Sequence, residues 1–128
     1  MKYFSTTEAE ALIPKLTKIF SLAYGTKSLI EEKVENWRRV HKKLTPAEEA
    51  VIRGQVDFLA SQLETQLGQV TELGATPKDL DAGLVDFPAR IEGQEGFLCW
   101  KLGEKKIKYW HGLTDGFKGR KPLPGVAK

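Results

Sequence analysis

The sequence predicts an α+β fold: a long antiparallel helical hairpin packed on a three-stranded antiparallel β-meander, with an irregular C-terminal tail. Three observations carry this. Apolar residues recur at helical spacing through residues 1–74, and the period changes towards alternation after Thr76. The break between the two helical stretches spans only about two residues, which forces them to run antiparallel. All 128 residues read as one domain, with the hairpin in 1–74 and the sheet and tail in 75–128.

The first helix begins at Ser5-Thr6-Thr7-Glu8, a capping-box pattern with Phe4 placed as a hydrophobic staple. Ile13, Leu16, Phe20, Ala23, Ile30, Val34 and Trp37 then mark one face. Pro14 lies beyond the first turn and predicts a kink, and Gly25 is a second weak point. Arg38, Arg39, Lys42 and Lys43 gather where the macrodipole is negative. Thr45-Pro46-Ala47-Glu48 opens the second helix with an N-cap, a Pro at the first position and a Glu reaching back. Its seam runs through Ile52, Val56, Leu59, Leu63, Val70 and Leu73, and Gly74 with Pro77 ends it. An unbroken first helix to Lys43 would be about 55 Å long, against a radius of gyration of about 14 Å for a compact chain of this size. Either the helix breaks or the hairpin projects, and a projecting apolar stripe predicts a homodimer formed through the helices.

Leu84 to Phe87, Phe97 to Leu102 and Ile107 to His111 read as strands, joined by Glu92-Gly93-Gln94-Glu95 and Gly103-Glu104-Lys105-Lys106. Four-residue loops set Ile91 opposite Gly96 and Leu102 opposite Ile107. In that register Val85, Phe87, Ala89, Leu98, Trp100, Leu102, Ile107, Tyr109 and His111 share the face turned to the helices. Asp86, Cys99, Lys101, Lys108 and Trp110 fall on the other, with Asp86 opposite Lys101 in an exposed charge ladder. A slip of one residue would exchange the faces.

Composition is that of a soluble globular protein, 41% hydrophobic and 29% charged, with a net charge of +3. From Lys101 onward eight Lys and Arg stand against Glu104 and Asp115, a mild basic bias that is weak for a nucleic-acid footprint. The lone Cys99 cannot form an internal disulfide and fits a reducing compartment. With no apolar leader or membrane-length apolar run, the expected location is cytoplasmic, away from membranes.

The strings FSTTEAEALIP, KDLDAGLVDFP, LCWKLGE, IKYWH and GFKGRKPL together resemble a prokaryotic domain-of-unknown-function family, DUF2203. The resemblance covers nearly the whole chain. It implies that Asp81, Gly83, Asp86, Trp100, Gly103, Glu104, Trp110, His111, Gly116, Phe117 and Arg120 occupy signature positions, and it implies no particular activity.

Among these residues the polar and aromatic candidates converge on the C-terminal half. Asp86, Trp100, His111 and Arg120 are the expected ligand-binding set, around a site for a small polar or anionic ligand, because a guanidinium grips carboxylate or phosphate bidentately. This favours a non-enzymatic binding module. A small hydrolase using His111 with Asp86 or Glu104 is the first alternative. An RNA-associated protein, using Lys105, Lys106 and Lys108 beside exposed aromatics, is the second. No metal is expected: Cys99 and His111 fall on opposite faces in this register, and neither CxxC nor HxxxH is present. The same separation argues against a Cys–His nucleophilic pair. No phosphate-binding glycine loop follows a strand, so no cofactor is expected.

Overall fold

The computed structural model describes residues 2–124 and has the predicted α+β architecture, with helices on one face of an antiparallel sheet. Helix α1 (Thr6–Ala11) starts at the expected capping box. Glu8 N donates to Ser5 Oγ at 3.0 Å and Ser5 N donates to Glu8 Oε1 at 2.9 Å. The chain then breaks at Leu12, and α2 (Ile13–Val40) begins at once. Instead of kinking a continuous helix, Pro14 sits in the first turn of α2, where its missing N–H costs nothing. Gly25 stays helical. A short 3-10 turn, His41–Lys43, leads to Thr45, which caps α3 (Pro46–Glu72) through a second capping box. After α3, Gly74 takes the left-handed conformation at φ 94°, and a Cβ there would meet the Phe4 ring at 3.1 Å.

The hairpin projects. Helix α2 has 28 residues, about 42 Å. Its buried residues, Leu16, Ile19, Phe20, Ala23 and Thr26, all lie in its first half, and those of α3 are Leu59 and Val70. Beyond them the two helices rest on each other. Lys33 Nζ reaches Gln55 at 3.2 Å, and Trp37 donates to Glu49 at 2.9 Å while stacking on His41. No helix among the described residues is long and apolar enough to cross a membrane.

The sheet has five strands where the sequence predicts three. They are β1 (Thr76–Asp79), β2 (Leu84–Ile91), β3 (Gln94–Lys101), β4 (Tyr109–Gly112) and β5 (Lys121–Pro122), paired antiparallel in chain order. The two added strands are short edges. One falls in the tail predicted to be irregular, whose last four residues, 125–128, lie outside the described residues. Two corrections of register follow from the loops. Glu92 and Gly93, at φ 52° and 79°, make a two-residue turn, so Ile91 pairs with Gln94 and Asp86 with Cys99 rather than Lys101. That shift of two preserves the faces. Between β3 and β4 the displacement is one: Leu98 pairs with Trp110 and Cys99 with Tyr109. The side chains of β4 are therefore turned over.

The cause lies at Ile107. It is buried in the core as predicted, but in a loop, its N–H donating to Glu10 Oε2 at 2.9 Å instead of to a strand. The core collects Phe4, Leu16, Phe20 and Val70 from the helical side and Val85, Phe87, Leu98, Trp100 and Trp110 from the sheet. Trp110 thus takes the place the sequence assigns to His111. Phe4 meets Phe87 edge-on at 5.2 Å, and its N–H donates to the Pro88 carbonyl at 2.7 Å, tying the N-terminus to β2.

Candidate functional site

The turned-over strand brings three titratable side chains together on the sheet face away from the helices. Asp86 on β2 and Cys99 on β3 are direct cross-strand partners, and His111 on β4 lies diagonal to Cys99. They are 3%, 1% and 3% exposed. This overturns the prediction that Cys99 and His111 occupy opposite faces, and with it the premise on which a metal and a Cys–His pair were set aside. It also replaces the exposed Asp86 charge ladder with a buried carboxylate. A carboxylate oxygen, the thiol sulfur and a ring nitrogen of these residues all lie within 4.8 Å of one another. Oxygen, sulfur and nitrogen at that spacing are donors that could hold a metal ion.

His111 is held at both nitrogens. Nδ1 lies 2.9 Å from the Gly112 carbonyl and Nε2 lies 2.9 Å from Asp86 Oδ1. A carbonyl only accepts, so Nδ1 carries a hydrogen and donates. A proton must then also lie between Nε2 and Oδ1, whether as imidazolium with carboxylate or as imidazole with carboxylic acid. Gly112 is fixed in turn by its N–H donating to Asp115 Oδ2 at 3.0 Å. Gly96, opposite Gly112, lets β4 approach: a Cβ there would stand 2.7 Å from the His111 carbonyl oxygen.

Above the three groups is a cleft of about 300 Å³. Leu84, Phe97, Leu113 and Phe117 supply apolar walls, and Lys78, Thr114 and Gly116 complete the rim. The register of β1 slips between Pro77 and Asp79, so Lys78 is the bulged residue. Bulges re-aim side chains in this way beside functional sites. Burial pushes the Cys99 thiol up to about 11, a rise to which the Asp86 and Glu104 carboxylates add and which Arg120 opposes. Cys99 is thus an uncharged thiol at neutral pH and a poor nucleophile. The ring nitrogen that would activate it, Nε2, is already engaged by Asp86.

Of the four residues expected to bind ligand, Asp86 and His111 come together in this cleft, and Trp100 and Arg120 do not. Trp100 is wholly buried on the helix-facing side, its indole N–H donating to the Glu104 carbonyl at 2.8 Å. Arg120 donates to Glu104 Oε2 at 2.6 Å and its guanidinium lies 3.9 Å from the Tyr109 ring centroid. Glu104 also accepts from Lys101 N at 2.8 Å, so it is spent on the β3 turn and on Arg120 rather than on His111. Asp81 pairs with Lys27 on the exposed flank of the hairpin. Asp115, Lys78 and Phe97 are not among the residues expected at the site from sequence. Only Asp115 left a local signal, as an acidic residue between glycines in the Gly112–Gly116 turn.

No curated protein and no solved structure matches the chain. A family model does match, over residues 2–123, and the chain belongs to that family, described as "Uncharacterized conserved protein (DUF2203)".

Proposed function

We propose that the protein is a binding module for a small polar or anionic ligand, acting as a homodimer through its helical hairpin, with its site in the cleft over Asp86 and His111. One observation carries the reading: a buried His–Asp pair forms the floor of an open cleft whose walls are mostly apolar. Such a pair is a poor investment for stability, because desolvating both groups offsets their attraction. A few convergent polar groups in an apolar cleft are what orients a small ligand. Lys78 at the rim, which makes no ion pair among the described residues, supplies a cation among apolar walls, and this favours a ligand with a carboxylate or phosphate and a short apolar body. The dimer rests on the distal hairpin, where Leu29, Val51 and Phe58 are 48%, 60% and 70% exposed beside one groove.

Thermal unfolding with and without a panel of phosphate and small carboxylates tests the site. A ligand that binds only the native state, at a hundred times its dissociation constant, adds about 2.7 kcal/mol. The expected result is a raised midpoint in wild type that is lost in Lys78→Ala and His111→Phe. If no member of the panel shifts wild type, the reading fails. Sedimentation equilibrium tests the dimer, and a monomer at micromolar concentration refutes that part.

The hydrolase reading keeps one supporting observation, His111 and Asp86 within hydrogen-bond reach in a cleft. It lacks an activated nucleophile, and Glu104 is engaged elsewhere. The RNA reading is weakened because Trp100 is in the core and Tyr109 is covered by Arg120, which removes the stacking platform it needs.

A further inference from the structure

Taking the cleft as the ligand site, we infer that Asp86, Cys99 and His111 are a three-ligand centre for a transition-metal dication of the zinc class, with its fourth position open to the cleft. Three independent features converge on this. The donors are one oxygen, one sulfur and one nitrogen within 4.8 Å of each other. Such a mixed set suits zinc or cobalt and not magnesium or calcium, which prefer oxygen alone. The donors also come from three adjacent strands of one sheet, so their spacing is set by a rigid backbone. Finally, the ring of His111 is already oriented as a metal ligand requires. Its Nδ1–H is committed to the Gly112 carbonyl, leaving Nε2 to face the other donors.

The side chains would have to shift by up to about 1 Å, because the donor atoms lie as far as 4.8 Å apart. Tetrahedral bonds of about 2.0–2.3 Å place ligand atoms about 3.3–3.8 Å apart. The Nε2 to Oδ1 distance is 2.9 Å, so the pair would part by a few tenths of an ångström as the metal takes the position of the shared proton. Two protons leave on coordination, that one and the thiol proton, while Nδ1 keeps its own. Carboxylate and thiolate then neutralise the dication, which leaves an uncharged centre beneath the apolar walls. The open position faces Phe97, Leu113 and Phe117. An anionic oxygen of a carboxylate or phosphate ligand would bind the metal there, with Lys78 as its second contact.

The test uses the full chain, stripped with a chelator and titrated with Co²⁺ and then Zn²⁺. The expected result is one Co²⁺ per chain, a thiolate-to-cobalt charge-transfer band, and displacement by Zn²⁺. Cys99→Ser should abolish the band and weaken Zn²⁺ binding at least tenfold, and His111→Gln should weaken it similarly, while Asp81→Asn on the exposed flank changes nothing. Circular dichroism confirms that each variant is folded. A folded wild type that shows no thiolate band overturns the proposal, and so does Co²⁺ binding that Cys99→Ser leaves intact. The panel of phosphate and carboxylates is run on apo and Zn²⁺-loaded protein to separate the two readings. Ligand shifts in a protein that takes no metal would remove the metal and keep the binding module. Metal binding with no ligand shift would do the reverse.

Discussion

Removing the Asp86 carboxylate probes the floor of the cleft directly. Asp86 and His111 are both almost fully buried and 2.9 Å apart, and the other ring nitrogen of His111 is already spent on Gly112. In Asp86→Ala the Nε2 side of the ring loses its side-chain partner, and breaking a buried pair in this way costs about 3–5 kcal/mol. Asp86→Asn should behave differently. A neutral imidazole with its hydrogen on Nδ1 can accept from the Asn amide, so a hydrogen bond survives and the loss falls to about 1 kcal/mol. Adding His111→Phe to Asp86→Ala removes the stranded nitrogen, and the double variant should be about 2 kcal/mol more stable than the sum of the single effects. Urea unfolding followed by circular dichroism, in chelator and at one protein concentration, gives all four values. Additive effects, or an Asp86→Ala loss below about 1 kcal/mol, would refute the buried, coupled pair.

Cys99 makes stability depend on pH. Its thiol is raised from 9.0 to about 11 by burial, so the folded state holds the proton more tightly than the unfolded chain. This contribution is fully present below pH 9 and is lost as pH rises through 11, for a total of about 3 kcal/mol. The difference between wild type and Cys99→Ala in denaturant midpoints across that window should show it, and parallel profiles would count against it. Gly96→Ala should cost at least about 2 kcal/mol and loosen β4, because the added Cβ meets the His111 carbonyl oxygen at 2.7 Å and strand backbone cannot swing aside. Equilibrium unfolding checks it, and a neutral effect would mean that β4 is not held where the site needs it. Phe58→Glu should convert a dimer to a monomer without loss of helicity, since Phe58 is 70% exposed in the single chain. Sedimentation gives the answer, and an unchanged dimer would place the interface elsewhere.

What could be read from the sequence was what depends on near neighbours. Ser5 with Glu8 and Thr45 with Glu48 cap their helices as written, because a capping box closes within four residues. The alternation of Val85, Phe87, Leu98 and Trp100 placed the core face of β2 and β3 correctly, and the two-residue error at Glu92-Gly93 did no harm because side chains repeat every two residues. The helix break moved only from Pro14 to Leu12. The parity of β4 was out of reach. It depends on how the segment from Leu102 to Lys108 is taken up, and that is decided by Glu10 capturing the Ile107 N–H across 97 positions of sequence. A buried Ile107 looked like the first residue of a strand, and the error of one residue hid His111 from Cys99 and Asp86.

That parity also gives the tail residues Gly116, Phe117 and Arg120 a structural part around the cleft. The second face of an antiparallel sheet ordinarily meets water, yet Asp86, Cys99 and His111 are buried there. The burial is achieved by the chain returning after β4. Asp115 fixes the turn by accepting from Gly112 N, and its side chain occupies the space where Gly119 would carry a Cβ, 2.6 Å away. Arg120 then spans from Glu104 to the rings of Tyr109 and Phe117, anchoring the far end of that return segment to the β3 turn. Arg120 and Glu104, which read as an anion grip and a catalytic carboxylate in one dimension, are the clasp that holds Leu113, Thr114 and Phe117 over the cleft. Loss of the clasp should therefore expose Cys99 to alkylation before it unfolds the helical side, because the helices pack on the opposite face through Phe20, Val70 and Trp100. Arg120→Ala, labelled with a thiol reagent under native conditions, should react faster than wild type while its far-ultraviolet circular dichroism is unchanged. Equal labelling rates would show that the return segment is held by other contacts.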